Sequence, residues 1–151
     1  FRSDRIANAI AGTHMYPGEN LLIIDFGTAT TFCAVTAEKD YLGGVIIAGI
    51  GISADALGAR TSRLPTVEIV RPETCLAKTT VESIQSGLYF GTIGQVKEIG
   101  GRIIQEAFDG KKPKIIGTGG IASMFTQAGI FDEENPDLVL HGLNQALKMN
   151  M

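Results

Sequence analysis

The stretch from Leu21 to Val35 combines an acidic residue with a turn of small residues. Asp25 ends a short apolar run, where a charge is unfavourable unless it has a partner. Gly27 and Thr28 follow, and the glycine lets a ligand approach the backbone closely. The N–H groups and threonine hydroxyls of such a turn can hold phosphate oxygens, while the Asp25 carboxylate can hold a cation. An ordinary β-hairpin that ends in a carboxylate explains the same residues, because short motifs often match by chance.

A second glycine-rich turn follows a later apolar run. Lys114–Ile116 predicts a short buried strand that runs directly into Gly117-Thr118-Gly119-Gly120. We expect a helix to begin near Ile121, with its N-terminus facing a phosphate or nucleotide in the glycine turn. A tight strand-to-helix turn explains this stretch equally well.

The hydrophobic pattern predicts one α/β domain that presents these turns. The predicted elements are a helix over Asp4–Met15, strands over Leu21–Ile24, Thr30–Val35 and Tyr41–Ala48, a short helix over Ile52–Ala59, a short strand over Thr66–Val70, a long helix from about Thr80, the strand over Lys114–Ile116, the helix near Ile121 and a closing helix over His141–Met149. Short reversals make the first three strands antiparallel neighbours. This order fits a ribonuclease-H-like α/β half-domain, with parallel strands added to the meander and helices on both faces.

Three further stretches carry expectations of their own. Gly87, Gly91 and Gly94 lower helix propensity within the long helix. Close packing against another helix or a substrate would offset that cost, and a break in the helix is the alternative. Asp4 is placed to cap the first helix. The acidic stretch Asp132 to Asp137 is expected to be a solvated loop.

Composition limits the class of protein. The 151 residues are 44% hydrophobic and 19% charged, which indicates one packed domain and not a disordered chain. A net charge of −3 gives no electrostatic reason to expect nucleic-acid or anionic-membrane binding, and no apolar run has the length of a membrane span. Cys33 and Cys75 are expected to be buried free thiols in a reducing compartment. Because the first residue is Phe1 and not Met, the chain is expected to begin partway into a larger protein.

Six motifs occur together in one order: DRIANAIAG, IIDFGTATT, LGGVIIAG, TSRLP, TVESIQSG and IIGTGG. This set resembles the type III pantothenate kinases, bacterial enzymes of the first step of coenzyme A synthesis, from about Ser3 to Leu147. The resemblance implies the acetate and sugar kinase/Hsc70/actin superfamily, whose members hold ATP between two ribonuclease-H-like domains. Residues 1–151 would be the second, C-terminal domain of such a kinase, with the N-terminal domain absent from the chain.

The resemblance also implies a role for individual residues. Asp4 matches the catalytic base, Arg5 and Thr80 match pantothenate contacts, Asp25 matches the ligand of an activating monovalent cation (K⁺ or NH₄⁺), Gly27 and Thr28 match the second phosphate loop, and Gly119 and Gly120 match the glycine pair near the nucleoside. A carboxylate suits the first role, because it can orient the attacking hydroxyl and accept its proton. The implied protein is a cytoplasmic homodimeric transferase that uses ATP with Mg²⁺ to phosphorylate pantothenate to 4′-phosphopantothenate, with pantothenate bound near the subunit interface.

Four residues depart from the family pattern, and they keep other functions open. Cys33 stands where many relatives have Asp, Arg2 and Ala77 replace glycines, and Ala48 replaces a proline. The first phosphate motif, Asp-x-Gly-Asn-Thr, is absent because it belongs to the first domain. A non-catalytic pantothenate-kinase-like protein that binds ligand and regulates is the alternative. A kinase of the same superfamily that phosphorylates another small hydroxyl substrate is a third reading.

Overall fold

The computed structural model describes residues 2–60, 66–138, 140, 141, 144 and 148, and the side chains of residues 2–4 and 60 lie outside that description. The elements in chain order are α1 (Arg2–Met15), β1 (Leu21–Phe26), β2 (Ala29–Val35), β3 (Tyr41–Ala48), α2 (Ile50–Arg60), α3 (Thr80–Phe108), β4 (Lys114–Thr118), a short 3₁₀ helix (Ala122–Phe125) and β5 (Glu133–Glu134). They confirm the predicted α/β class. No helix in this described part is long and apolar enough to cross a bilayer.

One five-stranded sheet has the order β3-β2-β1-β4-β5. The first three strands form the predicted antiparallel meander, and β4 joins β1 in parallel. Strand β1 is therefore central, which agrees with its apolar run: Leu21 to Ile24 are almost completely buried. Because a parallel neighbour requires a crossover, the chain between β3 and β4 contains the two helices α2 and α3.

The sheet is covered on both faces, and alternate residues of β1 define which face is which. Helix α1 packs on the face that carries Leu21 and Ile23, where Ala11 joins their apolar cluster. Helices α2 and α3 pack on the opposite face with Leu22 and Ile24, in a cluster that also contains Phe125. Phe125 stacks on Phe26 and on Tyr89 of α3, with ring centroids 5.1 and 5.2 Å apart. Asp25, as an odd-numbered residue of β1, lies on the α1 face.

Helix α3 runs unbroken for 29 residues, so the predicted alternative of a break is wrong. Its N-cap is Thr79, whose side chain accepts a hydrogen bond from the Glu82 N–H, and it ends at Asp109 in the left-handed conformation. A Cβ added at Gly87, Gly91 or Gly94 would meet no atom within 4 Å. These three glycines therefore do not pack against another helix within the described chain.

The predicted strand over Thr66–Val70 is wrong. The segment pairs with no strand among the described residues, although Val67 is buried in the core beside Ile84. The Gln85 side chain of α3 donates a hydrogen bond to the Glu68 carbonyl oxygen at 3.0 Å. A helix side chain therefore supplies the hydrogen bond to a backbone carbonyl that was expected to pair with a neighbouring strand.

The stretch Asp132 to Asp137 is largely exposed, as predicted, but two of its residues form a strand and not a loop. Glu133–Glu134 forms β5 at the sheet edge, in parallel with β4. The Asp132 carboxylate accepts a hydrogen bond from the Ile115 N–H at 2.8 Å, and Lys114 forms an ion pair with Glu133 at 3.0 Å. The acidic residues thus neutralise a lysine and extend the sheet. The predicted closing helix over His141–Met149 lies largely outside the described residues.

Candidate functional site

The Asp25 carboxylate lies near the end of β1, in a row of polar residues that crosses the sheet. Asp25 pairs with Thr31 of β2 and with Thr118 of β4, so the three side chains lie on one face. Asn8 of α1 reaches this row from above, and its Nδ2 donates to Asp25 Oδ2 at 3.1 Å. Helix α1 and three strands therefore converge on one partly buried carboxylate.

Both glycine turns named in the sequence meet at this carboxylate. A Cβ added at Gly119 would lie 2.6 Å from Asp25 Oδ1 and 2.8 Å from the Phe26 nitrogen, and Gly119 has φ +97°. A Cβ at Gly27 would lie 3.3 Å from the same Oδ1 atom. Gly120, in contrast, is exposed and has nothing within 4 Å of the added position. Position 119 thus requires glycine because of the close approach to Asp25 and the positive φ. Neither reason applies at position 120.

The helix expected after the second glycine turn is much shorter than predicted. Only Ala122–Phe125 is helical, as a 3₁₀ turn of four residues. The buried Phe125 ring fixes this turn by stacking in the core, and Gly129 adopts φ +72° shortly afterwards. The prediction of a helix N-terminus facing a phosphate is therefore wrong. The turn instead brings Gly119 against Asp25 and hydrogen-bonds the Ile121 N–H to the Phe26 carbonyl at 3.3 Å.

Thr28 lies exposed in the turn between β1 and β2, next to the start of α2. A Cβ added at Gly49 would lie only 2.2 Å from the Thr28 carbonyl oxygen and 2.7 Å from that of Gly27. The backbone after β3 therefore lies directly against the turn between β1 and β2. Gly49 fixes the shape of this turn because any side chain there would displace it.

Three buried polar atoms around this site have no hydrogen-bond partner among the described residues: Asn8 Oδ1, Thr118 Oγ1 and Arg5 Nε. Asn8 is only 2% exposed and Thr118 only 1%. Leaving such atoms unsatisfied costs about 1–3 kcal/mol each, so each of them calls for a partner such as water, an ion or a polar ligand. The first two are oxygens that suit a cation, and the third is an N–H that suits an anion.

The first turn of α1 carries Asp4 and Arg5. The Asp4 backbone lies one helical turn before Asn8, the residue that contacts Asp25, and the Asp4 side chain is outside the described residues. Arg5 Nη1 donates to the Tyr41 hydroxyl at 3.4 Å. The helix turn that contains Asp4 and Arg5 therefore lies at the Asp25 end of the sheet. It is not the residue spacing but the packing of α1 that produces this arrangement.

Cys33 lies on the same face of the sheet, diagonal to Asp25. The pKa of its thiol is raised to about 12, mainly by burial; the positive charge of Arg5 opposes this rise and the negative charge of Asp25 adds to it. The thiol is neutral at physiological pH, so the negative charge in this row of side chains comes from Asp25. Cys75 is exposed, which makes the prediction of two buried thiols right for Cys33 and wrong for Cys75.

Thr80 is not part of the Asp25 cluster. It lies at the start of α3, beside a cavity of about 640 Å³ between α2 and α3. The cavity is lined by hydroxyl, amide and aliphatic side chains and by one lysine, among them Ser53, Leu57, Lys78, Thr79, Ser83, Ile84, Leu88, Thr92 and Gln95. None of its described lining residues comes from α1. Ala48 lines the cavity, and the next residue, Gly49, lies against Thr28. The cavity therefore lies next to the turn between β1 and β2.

Sequence reasoning missed two residues of the site, Asn8 and Thr118. The spacing of Asn8, four residues after Asp4, places both on one side of a helix and was the available signal. Thr118 was visible only as a turn residue. Among the described residues, no group of three or more His, Cys, Asp or Glu side chains is placed to hold a metal ion. The donor set at Asp25 is thus one carboxylate with neutral oxygens.

Solved structures show the same fold at low sequence identity. A Campylobacter jejuni protein described as a conserved Baf family transcriptional activator aligns with a TM-score of 0.67 and 19% identity, over 95% of this chain and 64% of that one. MreB5 of Spiroplasma citri, solved with ADP bound, aligns with a TM-score of 0.56 and 14% identity, over 98% of this chain and 60% of that one. The fold that the sheet order and these likenesses show is the actin-like fold.

Comparison with sequences then identifies the family. A family model described as type III pantothenate kinase matches residues 3–102. Type III pantothenate kinases of Legionella pneumophila strains Corby and Lens are 53% identical over 148 residues, and type III pantothenate kinase 1 of Francisella tularensis subsp. holarctica is 45% identical over the same length. This chain belongs to the type III pantothenate kinase family. Each of these matches includes 98% of this chain but only 58% of the relative's length.

Proposed function

We propose that this chain is the C-terminal, ribonuclease-H-like domain of a two-domain cytoplasmic kinase that transfers the γ-phosphoryl group of ATP to pantothenate. The product, 4′-phosphopantothenate, belongs to the first step of coenzyme A synthesis. The observation that carries the proposal is the convergence of both glycine turns and helix α1 on the Asp25 carboxylate. The family match and the relatives' names support the choice of substrate.

The proposed phosphate contacts are the Gly27–Thr28 turn and the glycine pair Gly119–Gly120. Thr28 is exposed and its backbone is fixed by Gly49, which suits contact with the phosphates of ATP. Gly119 lies against Asp25, while Gly120 is open to a nucleoside. The missing N-terminal domain would supply the other half of the ATP site, and Mg²⁺ would accompany the phosphates as in other kinases.

Asp25 is proposed to hold a monovalent cation, K⁺ or NH₄⁺. The buried oxygens of Asn8 and Thr118 beside it fit such an ion, because both lack a partner and both are hard donors. One carboxylate balances a single positive charge, and the described residues offer no larger cluster that would favour a divalent ion here. The cation would supply positive charge close to the phosphates without any protonation step.

Asp4 is proposed to be the base and Arg5 a pantothenate contact. The Asp4 carboxylate would orient the pantothenate hydroxyl and accept its proton as the new O–P bond forms and the bond to ADP breaks. The buried Nε of Arg5 has no partner among the described residues, which suits a substrate carboxylate or phosphate oxygen. Asn8 places this helix turn against the Asp25 end of the sheet.

Thr80 is proposed to contact pantothenate across a dimer interface. Thr80 belongs to α3 and Arg5 to α1, and these helices cover opposite faces of the sheet. A homodimer would allow the α3 cavity of one subunit to meet the α1 turn of the other. Light scattering of the intact protein at micromolar concentration should give the mass of a dimer, and a monomer would contradict the shared site.

The test of the proposed function is an assay of the intact protein with ATP, Mg²⁺, pantothenate and KCl. We expect ADP and phosphopantothenate to form in equal amounts. Titration calorimetry with pantothenate, in parallel, separates the competing readings. Binding of pantothenate without turnover would support the non-catalytic alternative, and turnover of another hydroxyl substrate but not of pantothenate would support a different kinase.

A further inference from the structure

Asn8 connects helix α1 to the Asp25 carboxylate through one buried hydrogen bond. Its Nδ2 donates to Asp25 Oδ2 at 3.1 Å, and the side chain is 2% exposed. A carboxylate only accepts hydrogen bonds, so the amide must present its NH₂ group to Asp25. This choice also fixes the direction of the other amide atom, Oδ1, because it is bonded to the same carbon as Nδ2.

Asn8 Oδ1 is buried and has no hydrogen-bond partner among the described residues, and neither does Thr118 Oγ1. Thr118 pairs with Asp25 in the sheet, so it flanks the carboxylate from β4 while Asn8 covers it from α1. The Asn8 amide oxygen can only accept, whereas the Thr118 hydroxyl can accept or donate. A buried group that bonds to both oxygens beside the carboxylate must therefore offer positive charge or a donor. The arrangement therefore calls for a ligand that accepts electron pairs from all three.

We propose that Asn8 is a positioning residue for the cation proposed at Asp25. Its NH₂ group orients the carboxylate, and its amide oxygen provides a further donor beside Thr118 Oγ1. This inference rests on the proposed cation role of Asp25 and adds to it a residue from α1. The same α1 helix carries Asp4 and Arg5, so the amide also ties the cation to the turn that would hold the acceptor substrate.

The experiment measures thermal unfolding of the intact protein in KCl and in choline chloride at equal ionic strength. Wild type should unfold at a higher temperature in KCl, and the apparent potassium dissociation constant follows from a KCl titration. Asn8→Leu removes both the donor and the acceptor. We expect it to raise that dissociation constant roughly 10-fold or more, the usual effect of losing a group that orients a metal ligand.

Two further variants separate this role from a structural one. Asn8→Asp places a second carboxylate beside Asp25, and a cation relieves the repulsion, so the KCl-dependent stabilisation should exceed that of wild type. Asn20→Leu is the matched control: its Oδ1 accepts from the Ala37 N–H at 2.8 Å at the opposite end of β1. It should lower the unfolding temperature equally in both salts.

Each outcome decides the inference. Wild-type potassium affinity in Asn8→Leu would overturn it while leaving the proposed role of Asp25 intact. If Asn8→Leu does not fold, Asn8→Asp decides, and a KCl effect equal to or below wild type would overturn the inference. No KCl effect in wild type would overturn both this inference and the proposed cation role. Loss of the effect in Asn8→Leu together with its increase in Asn8→Asp supports the inference.

Discussion

Replacing Asp4 with asparagine should lower kcat for pantothenate phosphorylation by roughly 10²–10⁴-fold, the usual contribution of a positioned general base. Asparagine has nearly the same shape but cannot accept the proton of the attacking hydroxyl. Because Asp4 lies in the first turn of α1, the change should leave the helix and the Asn8–Asp25 contact in place. Steady-state kinetics of the intact protein with ATP, Mg²⁺ and KCl measures the effect.

Asp55→Asn is the control for this prediction, since Asp55 is exposed on α2 and lines no described part of the site. Its kcat should stay close to wild type. The KM for pantothenate should change far less than kcat in Asp4→Asn, because the loss is specific to the transition state. Wild-type kcat in Asp4→Asn would remove Asp4 as the base.

Replacing Gly119 with alanine should destabilise the protein by roughly 2–5 kcal/mol, from backbone strain and overpacking together. The new Cβ would lie 2.6 Å from Asp25 Oδ1 and 2.7 Å from the Phe26 carbonyl carbon, at φ +97°. Neither neighbour can move freely, because both belong to the central strand β1. Urea unfolding gives the loss of stability, and any folded fraction should also have lost its response to potassium.

Gly120→Ala provides a control one residue away. Nothing lies within 4 Å of its added Cβ and the residue is exposed, so its free energy of unfolding should change by no more than about 0.5 kcal/mol. If Gly119→Ala were as stable as Gly120→Ala and both stayed close to wild type, the close approach of Gly119 to Asp25 would be contradicted. Equal and large losses would indicate that the whole turn, and not this contact, limits stability.

The sequence was informative where a local pattern decides the structure. The apolar run before Asp25 predicted a buried strand, and short reversals predicted the antiparallel meander, because both depend on neighbours in the chain. That Gly27 and Gly119 meet also follows from topology, since each turn follows one of two paired parallel strands. The family resemblance added roles for Asp4 and Arg5, and these roles stay predictions.

Features that depend on tertiary contacts were beyond such reasoning. Thr66–Val70 has strand-like residues, but a side chain of α3 takes its backbone hydrogen bond. Glu133 was expected to lie in a loop, but it pairs with β4 in the sheet and lies 3.0 Å from Lys114. Asn8 looked like an ordinary helix residue because its role depends on how α1 is rotated against the sheet. The local sequence carries no record of that rotation.

The role of the Asp25 carboxylate is tested by potassium activation of pantothenate phosphorylation in wild type and Asp25→Asn, at constant ionic strength in KCl and choline chloride. We expect potassium to activate the wild-type protein, and Asp25→Asn to be slow and equally slow in both salts. A potassium activation curve in Asp25→Asn that matches wild type would show that the carboxylate at the end of β1 is not where the cation acts.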